Sequence, residues 1–351
     1  MTSAAFLRHL LFLAALALVS AVVVRAMISA GVMDRPNARK AHTAPTPKGG
    51  GVGVVVAFML GISILYGFAD FARLADPYFR GVILASATIA AVAYLDDLRD
   101  WSFAVKLAAQ LLAGLLAVGS GLYVSEYRIP YMGAVDIGLL GVPVTLVWLL
   151  FATNAMNFID GLNGLAAGTA LVACGFLAAI AAGQEGWFVY FAALLLAAGL
   201  VGFLPFNFPA ARIFMGDVGS QFCGFVLAVL GVAAARFGAV EMSFLLVPIL
   251  LSGVLFDVAF TLARRLLGGY RITQAHRGHL YQVAQRAGMD ARAVAALHWG
   301  FAAIGGLVAM AFIAAPSPVK PLLLPLVLLP QLAWTGHVVQ LSRRSQLGAW
   351  G

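Results

Sequence analysis

Of the 351 residues, 62% are hydrophobic and only 10% are charged, with a mean hydropathy of +0.97, whereas water-soluble domains carry roughly one quarter charged residues. This excludes a soluble globular fold and leaves no room for a separate extramembrane domain. The net charge of +8 would suggest nucleic acid in a soluble chain, but here Lys and Arg in cytoplasmic loops account for it, so no nucleic-acid partner is expected.

A hydrocarbon core about 30 Å thick takes about 20 apolar residues per helix. Apolar runs between polar breaks predict about eleven spans, at 9–31, 50–68, 79–95, 103–122, 138–155, 163–182, 187–206, 219–238, 243–263, 291–314 and 319–340. The first run follows Arg8 and His9 and continues through Val24 with no persuasive cleavage site, so it reads as a retained span. Cys174 and Cys223 both lie within apolar runs and read as small packed side chains, without disulfide or metal. The fold class is therefore an all-α integral membrane protein, a polytopic bundle. The whole chain, 1–351, forms one multi-spanning domain, with its motifs between 34 and 282 and two last helices over 291–340.

Span parity alternates the loops between two sides. One side, with the C-terminus, carries 16 of the 22 Lys and Arg residues; the other carries only Arg8, Arg73, Arg80, Arg128, Arg236 and Lys320. The positive-inside rule places the odd-numbered loops and the C-terminus in the cytoplasm and the N-terminus outside. The membrane is a bacterial-type inner (plasma) membrane, whose lipid surrounds the bundle.

Each chemically unusual loop is odd-numbered, which points to one composite site on the cytoplasmic face. The first, 34–48, is basic and ends at Lys48. Gly49, Gly50, Gly51 and Gly53 follow it, and either receive a phosphate on free N–H groups or let helices pack closely. At the end of the third span stand Asp96 and Asp97, with Asp100 beyond. In a continued helix Asp96 and Asp100 share a face and Asp97 points about 100° away. Carboxylates this close repel unless a cation sits among them.

Asn157 and Asp160 close the fifth span, and Asp217 opens the eighth within a Gly-flanked turn. Hard oxygen ligands without Cys or paired His suit magnesium, which keeps waters and bridges to substrate phosphates. The ninth loop holds Arg264, Arg265 and Arg271, then His276, Arg277 and His279, an arrangement suited to a pyrophosphate. Asp257, inside the ninth span, shares a helix face with Arg264; it is either a site residue or half of a structural ion pair.

Together these motifs, in order from Asp34 to Gln282, resemble the polyprenyl-phosphate N-acetylhexosamine 1-phosphate transferases, the MraY/WecA-type superfamily. The resemblance implies ten or eleven membrane helices. It also implies a phosphoglycosyltransferase dependent on magnesium, with manganese as a substitute, that acts on a UDP-HexNAc and polyprenyl (undecaprenyl) phosphate and releases UMP. By that resemblance Asp96 and Asp97 stand at the lipid phosphate, Asp160 is a catalytic carboxylate, Asp217 is the metal ligand and Asn157 assists it. Gly161, Leu162, Asn207 and Phe214 fall where the family lines its uridine pocket, and Lys48 matches a phosphate-side lysine. Asn163 stands where many relatives have a second Asp; it can hydrogen-bond nucleotide but cannot act as a base.

The His276–Gln282 run is closest to initiators of O-antigen and other surface-glycan assembly, within lipopolysaccharide and cell-wall biosynthesis. It looks less like the phospho-MurNAc-pentapeptide transferases of peptidoglycan synthesis, which remain the nearer alternative. A homodimer is allowed but not required. The alternative from another class is a transporter of anionic metabolites, which would place its site at mid-membrane on broken helices; here the acidic motifs lie at helix ends.

Overall fold

The computed structural model describes residues 3–34, 45–68, 76–99, 101–129, 133–236, 242–271, 274, 276–347 and 350. Residues 35–44 of the first basic loop, Arg73, Asp100, and 272, 273 and 275 of the ninth loop lie outside the described residues.

The chain is a multi-pass helical membrane protein. Helix α1 is Ser3–Ala30 and α2 is Gly51–Phe68. They are followed by α3 (Asp76–Arg99), α4 (Phe103–Gly119), α5 (Gly141–Ile159), α6 (Leu165–Gly183), α7 (Trp187–Asn207) and α8 (Gly216–Arg236). Next come α9 (Leu246–Leu250), α10 (Ser252–Leu267), α11 (Leu280–Arg286), α12 (Ala291–Ala314) and α13 (Lys320–Arg344). Among the described residues, nine helices are long and apolar enough to cross a bilayer, and α4, at 17 residues, is a shorter apolar helix. Expected spans and observed helices correspond in order, with differences at their ends.

Three differences are local. The third expected span runs on to Arg99, so Asp96 and Asp97 lie within the last turns of a helix and are not beyond its end. The ninth is interrupted: α9 and α10 meet at Leu251, whose N–H still bonds Val247 O at 2.9 Å. Two small antiparallel ladders, not expected from the sequence, join loop segments. Strand β1 (Met33–Asp34) pairs with β2 (Thr46–Pro47), and β3 (Glu126–Ile129) with β4 (Gly133–Asp136).

Helix α8 is the axis of the bundle. It packs against α3 and α5 and is further covered by α2, α7 and α9, so that nearly all of it is buried. From Phe222 to Ala235 the helix is apolar on all sides, as such a position requires. Because successive segments reverse direction, the starts of α2, α4 and α8 meet the ends of α3, α5, α7 and α10 at one end of the bundle, where the odd-numbered loops gather.

Candidate active site

The site is built around the first turn of α8. Gly216, immediately before Asp217, has φ +75°, and a Cβ there would lie 2.6 Å from Asp97 Oδ2. Only glycine therefore satisfies both the left-handed backbone and the close approach of that carboxylate. Asp97 Oδ2 accepts from the backbone N–H of Val218 at 3.0 Å, and its Oδ1 lies 3.4 Å from Lys48 Nζ. An anion over a helix N-terminus satisfies otherwise unpaired N–H groups and the helix dipole.

The glycine run after Lys48 resolves into packing. Gly50 N–H donates to Phe214 O and Gly51 N–H to Met215 O, both at 2.9 Å. A Cβ on Gly51 would fall 2.2 Å from Gly219 Cα, and one on Gly53 would fall 2.6 Å from Ser20 O. The N–H groups that might have received a phosphate at Gly50 and Gly51 are spent on backbone carbonyls, and the small residues bring α2 against α8 and α1.

Lys106, one turn into α4, is the principal residue the sequence reasoning missed. Its Nζ lies 2.6 Å from Asp96 Oδ2 and 2.9 Å from Asp217 Oδ2, so one ammonium joins carboxylates of two different helices. The signal was present: a charge one turn inside an apolar run is a site candidate by default. Asp96 is also held by the N–H of Trp101 (2.8 Å) and is 3% exposed.

The end of α5 and the turn after it form the opposite wall. Asn157 Oδ1 accepts from Ser220 Oγ at 2.9 Å. Asp160 follows the last residue of α5, and among the described residues nothing hydrogen-bonds its carboxylate. Burial, then the charges of Asp217 and Asp97, push Asp160 well above the usual carboxylate range. Asn207 uses both ends of its amide on the framework, accepting from Gly164 N–H (2.6 Å) and donating to Ile213 O (3.0 Å). It lines the cavity while fixing the two loops that carry Asn163 and Phe214.

The ninth loop divides. Arg277 lines the cavity and His276 and His279 do not. Asp257 explains why: this buried carboxylate accepts from the N–H of Leu280 (3.0 Å), the N–H of Tyr281 (3.1 Å) and Thr261 Oγ1 (3.2 Å), and lies 3.1 Å from His279 Nδ1. A carboxylate only accepts, so this contact fixes the Nδ1–H tautomer of His279. Asp257 thus anchors the loop from within the bundle and pairs with His279 instead of Arg264. Arg264 instead donates to Gly278 O and Trp350 O, both at 3.3 Å. His276 stacks on His279 with ring centroids 5.1 Å apart. Burial, then His279, push it down to about 4, so it is a neutral imidazole near pH 7.

The cavity between these walls has a volume of about 480 Å³. It brings together Asp96, Asp97, Asp160, Asp217, Asn157, Lys48, Gly161, Leu162, Asn163, Asn207, Phe214 and Arg277 from the sequence-derived set, and adds Lys106, Gln282 and Gln285. Asp34 also lines it, so the side chains present five carboxylates against Lys48, Lys106 and Arg277, a formal excess of two negative charges.

Among the described residues no three His, Cys, Asp or Glu side chains form a ready-made metal cage. Magnesium needs none, because one or two carboxylates plus substrate phosphates complete its shell. The all-oxygen donor set and the negative excess fit a divalent hard cation.

A family model described as glycosyl transferase family 4 matches residues 79–235, from α3 through α8. The chain is similar to the probable undecaprenyl-phosphate N-acetylglucosaminyl 1-phosphate transferase of Bacillus subtilis (strain 168), with 29% identity over 277 residues, 78% of this chain and 75% of that protein. It is 32% identical over 289 residues to the decaprenyl-phosphate N-acetylglucosaminephosphotransferase of Mycobacterium tuberculosis (strain ATCC 25618 / H37Rv), covering 75% of this chain and 71% of that one. It is also 32% identical over 256 residues to the phospho-N-acetylmuramoyl-pentapeptide-transferase of Heliobacterium modesticaldum, covering 66% and 72%.

Proposed function

This chain belongs to glycosyl transferase family 4, the polyprenyl-phosphate N-acetylhexosamine 1-phosphate transferases, and on that premise we propose that it transfers HexNAc 1-phosphate from a UDP-HexNAc to undecaprenyl phosphate, releasing UMP and starting a surface glycan such as O-antigen. The observation that carries this reading is a cavity at one end of a membrane bundle where four motif aspartates meet Lys48, Lys106 and Arg277.

A phosphate monoester has a second pKa near 6, so the lipid phosphate is mostly a dianion at pH 7 and a competent nucleophile without covalent help from the protein. Its need is charge cancellation as it approaches the diphosphate. Lys48, Lys106 and Arg277 supply fixed positive charge at the cavity wall, preorganised by the bundle. Asp217, with Asn157, would hold magnesium, which when bound supplies Lewis-acid stabilisation of the phosphoryl oxygens.

Asp96 and Asp97 set the cations and the start of α8, and so orient the acceptor. Asp160, whose carboxylate keeps its accepting positions free, takes the residual proton where the acceptor still carries one. Gly161, Leu162, Asn163 and Phe214 receive the uridine.

Purified enzyme in detergent, offered a panel of UDP-HexNAc donors with undecaprenyl phosphate, is expected to release UMP with at least one peptide-free donor. Use of UDP-MurNAc-pentapeptide alone would move the chain to the peptidoglycan branch, whose member in Heliobacterium is a relative of similar identity. In the same preparation, freed of lipid phosphate, labelled UMP should not exchange into the donor. Sustained exchange that disappears in Asp97→Asn would mean an aspartyl-phosphate intermediate.

The cavity end of the bundle, the C-terminus included, faces the cytoplasm in this reading, and the N-terminus faces outside. Reporter fusions after Lys48, Arg99, Asn163 and Gln282 should all read cytoplasmic. A periplasmic signal from any one of them would break the single-site arrangement.

A further inference from the structure

Directly beneath the layer of charged groups lies a second layer, made of amides. Gln110 is four residues past Lys106 on α4, Gln221 is four past Asp217 on α8, and Asn154 is three before Asn157 on α5. Each is therefore one helical turn deeper than a cavity-lining residue of its own helix, on the same face.

The three side chains bond to one another across the helices. Asn154 Nδ2 donates to Gln110 Oε1 at 2.6 Å and to Leu150 O at 2.8 Å. Gln110 Nε2 donates to Gln221 Oε1 at 3.0 Å and to Asn154 Oδ1 at 3.3 Å. Gln221 Nε2 donates to Asp217 Oδ2 at 3.2 Å. Gln110 and Gln221 are each 2% exposed. Asn154 and Gln110 exchange a pair of hydrogen bonds, and from Gln110 the donors run through Gln221 to the carboxylate.

We propose that Gln110 and Gln221, with Asn154, are positioning residues for the transfer: an amide layer that sets the register of α4, α5 and α8 and so aligns Lys106, Asn157 and Asp217. Apolar residues would pack there without the cost of burying amides, and interhelical hydrogen bonds in membranes contribute only about 0.6–2 kcal/mol each to stability. What the amides supply is direction. Dispersion contacts tolerate a small slide of one helix along another, whereas interhelical amide hydrogen bonds, which weaken steeply with distance and angle, do not. A misplacement of about 1 Å at a reacting centre costs about 10²-fold in rate, so a device that suppresses such slides acts on turnover more than on folding.

The inference rests on the reading of Asp217 and Lys106 given above. It is tested with Gln221→Met, Gln110→Met and the double variant, in the full-length protein in detergent. Methionine keeps the length and flexibility of the side chain and removes its hydrogen bonds.

The expected result is a fall of about 10²-fold in kcat for Gln221→Met, with KM for donor and for polyprenyl phosphate unchanged and the thermal unfolding midpoint lowered only slightly, by the loss of two hydrogen bonds. The double variant should be no slower than the slower single one, because both substitutions cut one chain. Wild-type kcat in both single variants overturns the proposal. So does a loss of kcat matched by raised KM and a collapsed unfolding midpoint, which is the signature of packing alone. Should Gln221→Met not accumulate, Gln110→Met carries the same expectation; if neither accumulates, the layer holds the bundle together and does not align the site.

Asp217→Asn in the same assay separates the two levels of the argument. An active Asp217→Asn removes the reading of the site itself. An inactive Asp217→Asn beside a fully active Gln221→Met removes only the amide layer.

Discussion

Replacement of Asp217 by Asn is expected to lower turnover by about 10³-fold or more, equivalent to about 4 kcal/mol in the barrier. The amide keeps one oxygen, so Lys106 and Gln221, which approach Asp217 Oδ2 at 2.9 and 3.2 Å, still have an acceptor. Gly216 and the start of α8 are unaffected, because Asp97 and not Asp217 accepts from Val218 N–H. The fold should therefore persist, with an unfolding midpoint close to that of the unaltered protein. The loss is one negative charge at the place best suited to hold a divalent cation between protein and diphosphate. Titration with magnesium is the second measurement, and half-activation should move to higher concentration. Turnover near normal with an unaltered magnesium response would show that Asp217 is not a metal ligand.

Lys106→Met should lower kcat by about 10²- to 10³-fold, the range found when one preorganised donor is removed from a site of developing charge. In the absence of substrate this ammonium offsets the charge of Asp96 and Asp217, which also contact each other directly. Without it two carboxylates face each other across the α3–α8 contact, and part of the effect will be displacement of both. Lys106→Arg distinguishes charge from shape. Guanidinium keeps the positive charge but is broader and planar, so partial recovery in Arg and none in Met would assign the effect to charge. The measurement is steady-state kinetics with both substrates varied. Wild-type kcat in Lys106→Met would reduce the pair of contacts to an ion bridge of no catalytic consequence.

The motif aspartates were legible because each interrupts or ends an apolar run, where an ionisable group has no bland explanation. Lys106 was equally visible but was counted only as one of the cytoplasmic basic residues. Its partners are 10 and 111 residues away in sequence, and no local pattern connects α4 to α8. Asp257, open between a site residue and half of a structural ion pair, takes a structural role with another partner. Helical spacing places it on a face with Arg264, yet that arginine reaches toward Gly278 and Trp350 and the carboxylate turns to His279 and the start of α11. Shared helix face allows a contact without choosing it. The two histidines looked arranged for a pyrophosphate because of their spacing around Arg277, and the fold turns them toward Asp257 and each other, leaving only Arg277 on the cavity.

By itself the sequence determined that this chain lives in a membrane, where its helices begin and end to within a turn or so, which loops share a side, and which reaction family it enters. These follow from local quantities: the bilayer dictates the length and apolarity of each span, and charged residues are tolerated mainly where the span stops. Only the tertiary structure decided what the charged groups do to one another. It joined Lys106 to two aspartates, turned the glycine run into a helix contact, made Asp257 an anchor, and stacked a layer of amides under the site. Each of these depends on distances between helices remote in sequence. Such distances are set by the packing of the whole bundle around α8, and hydropathy along the chain carries no record of them.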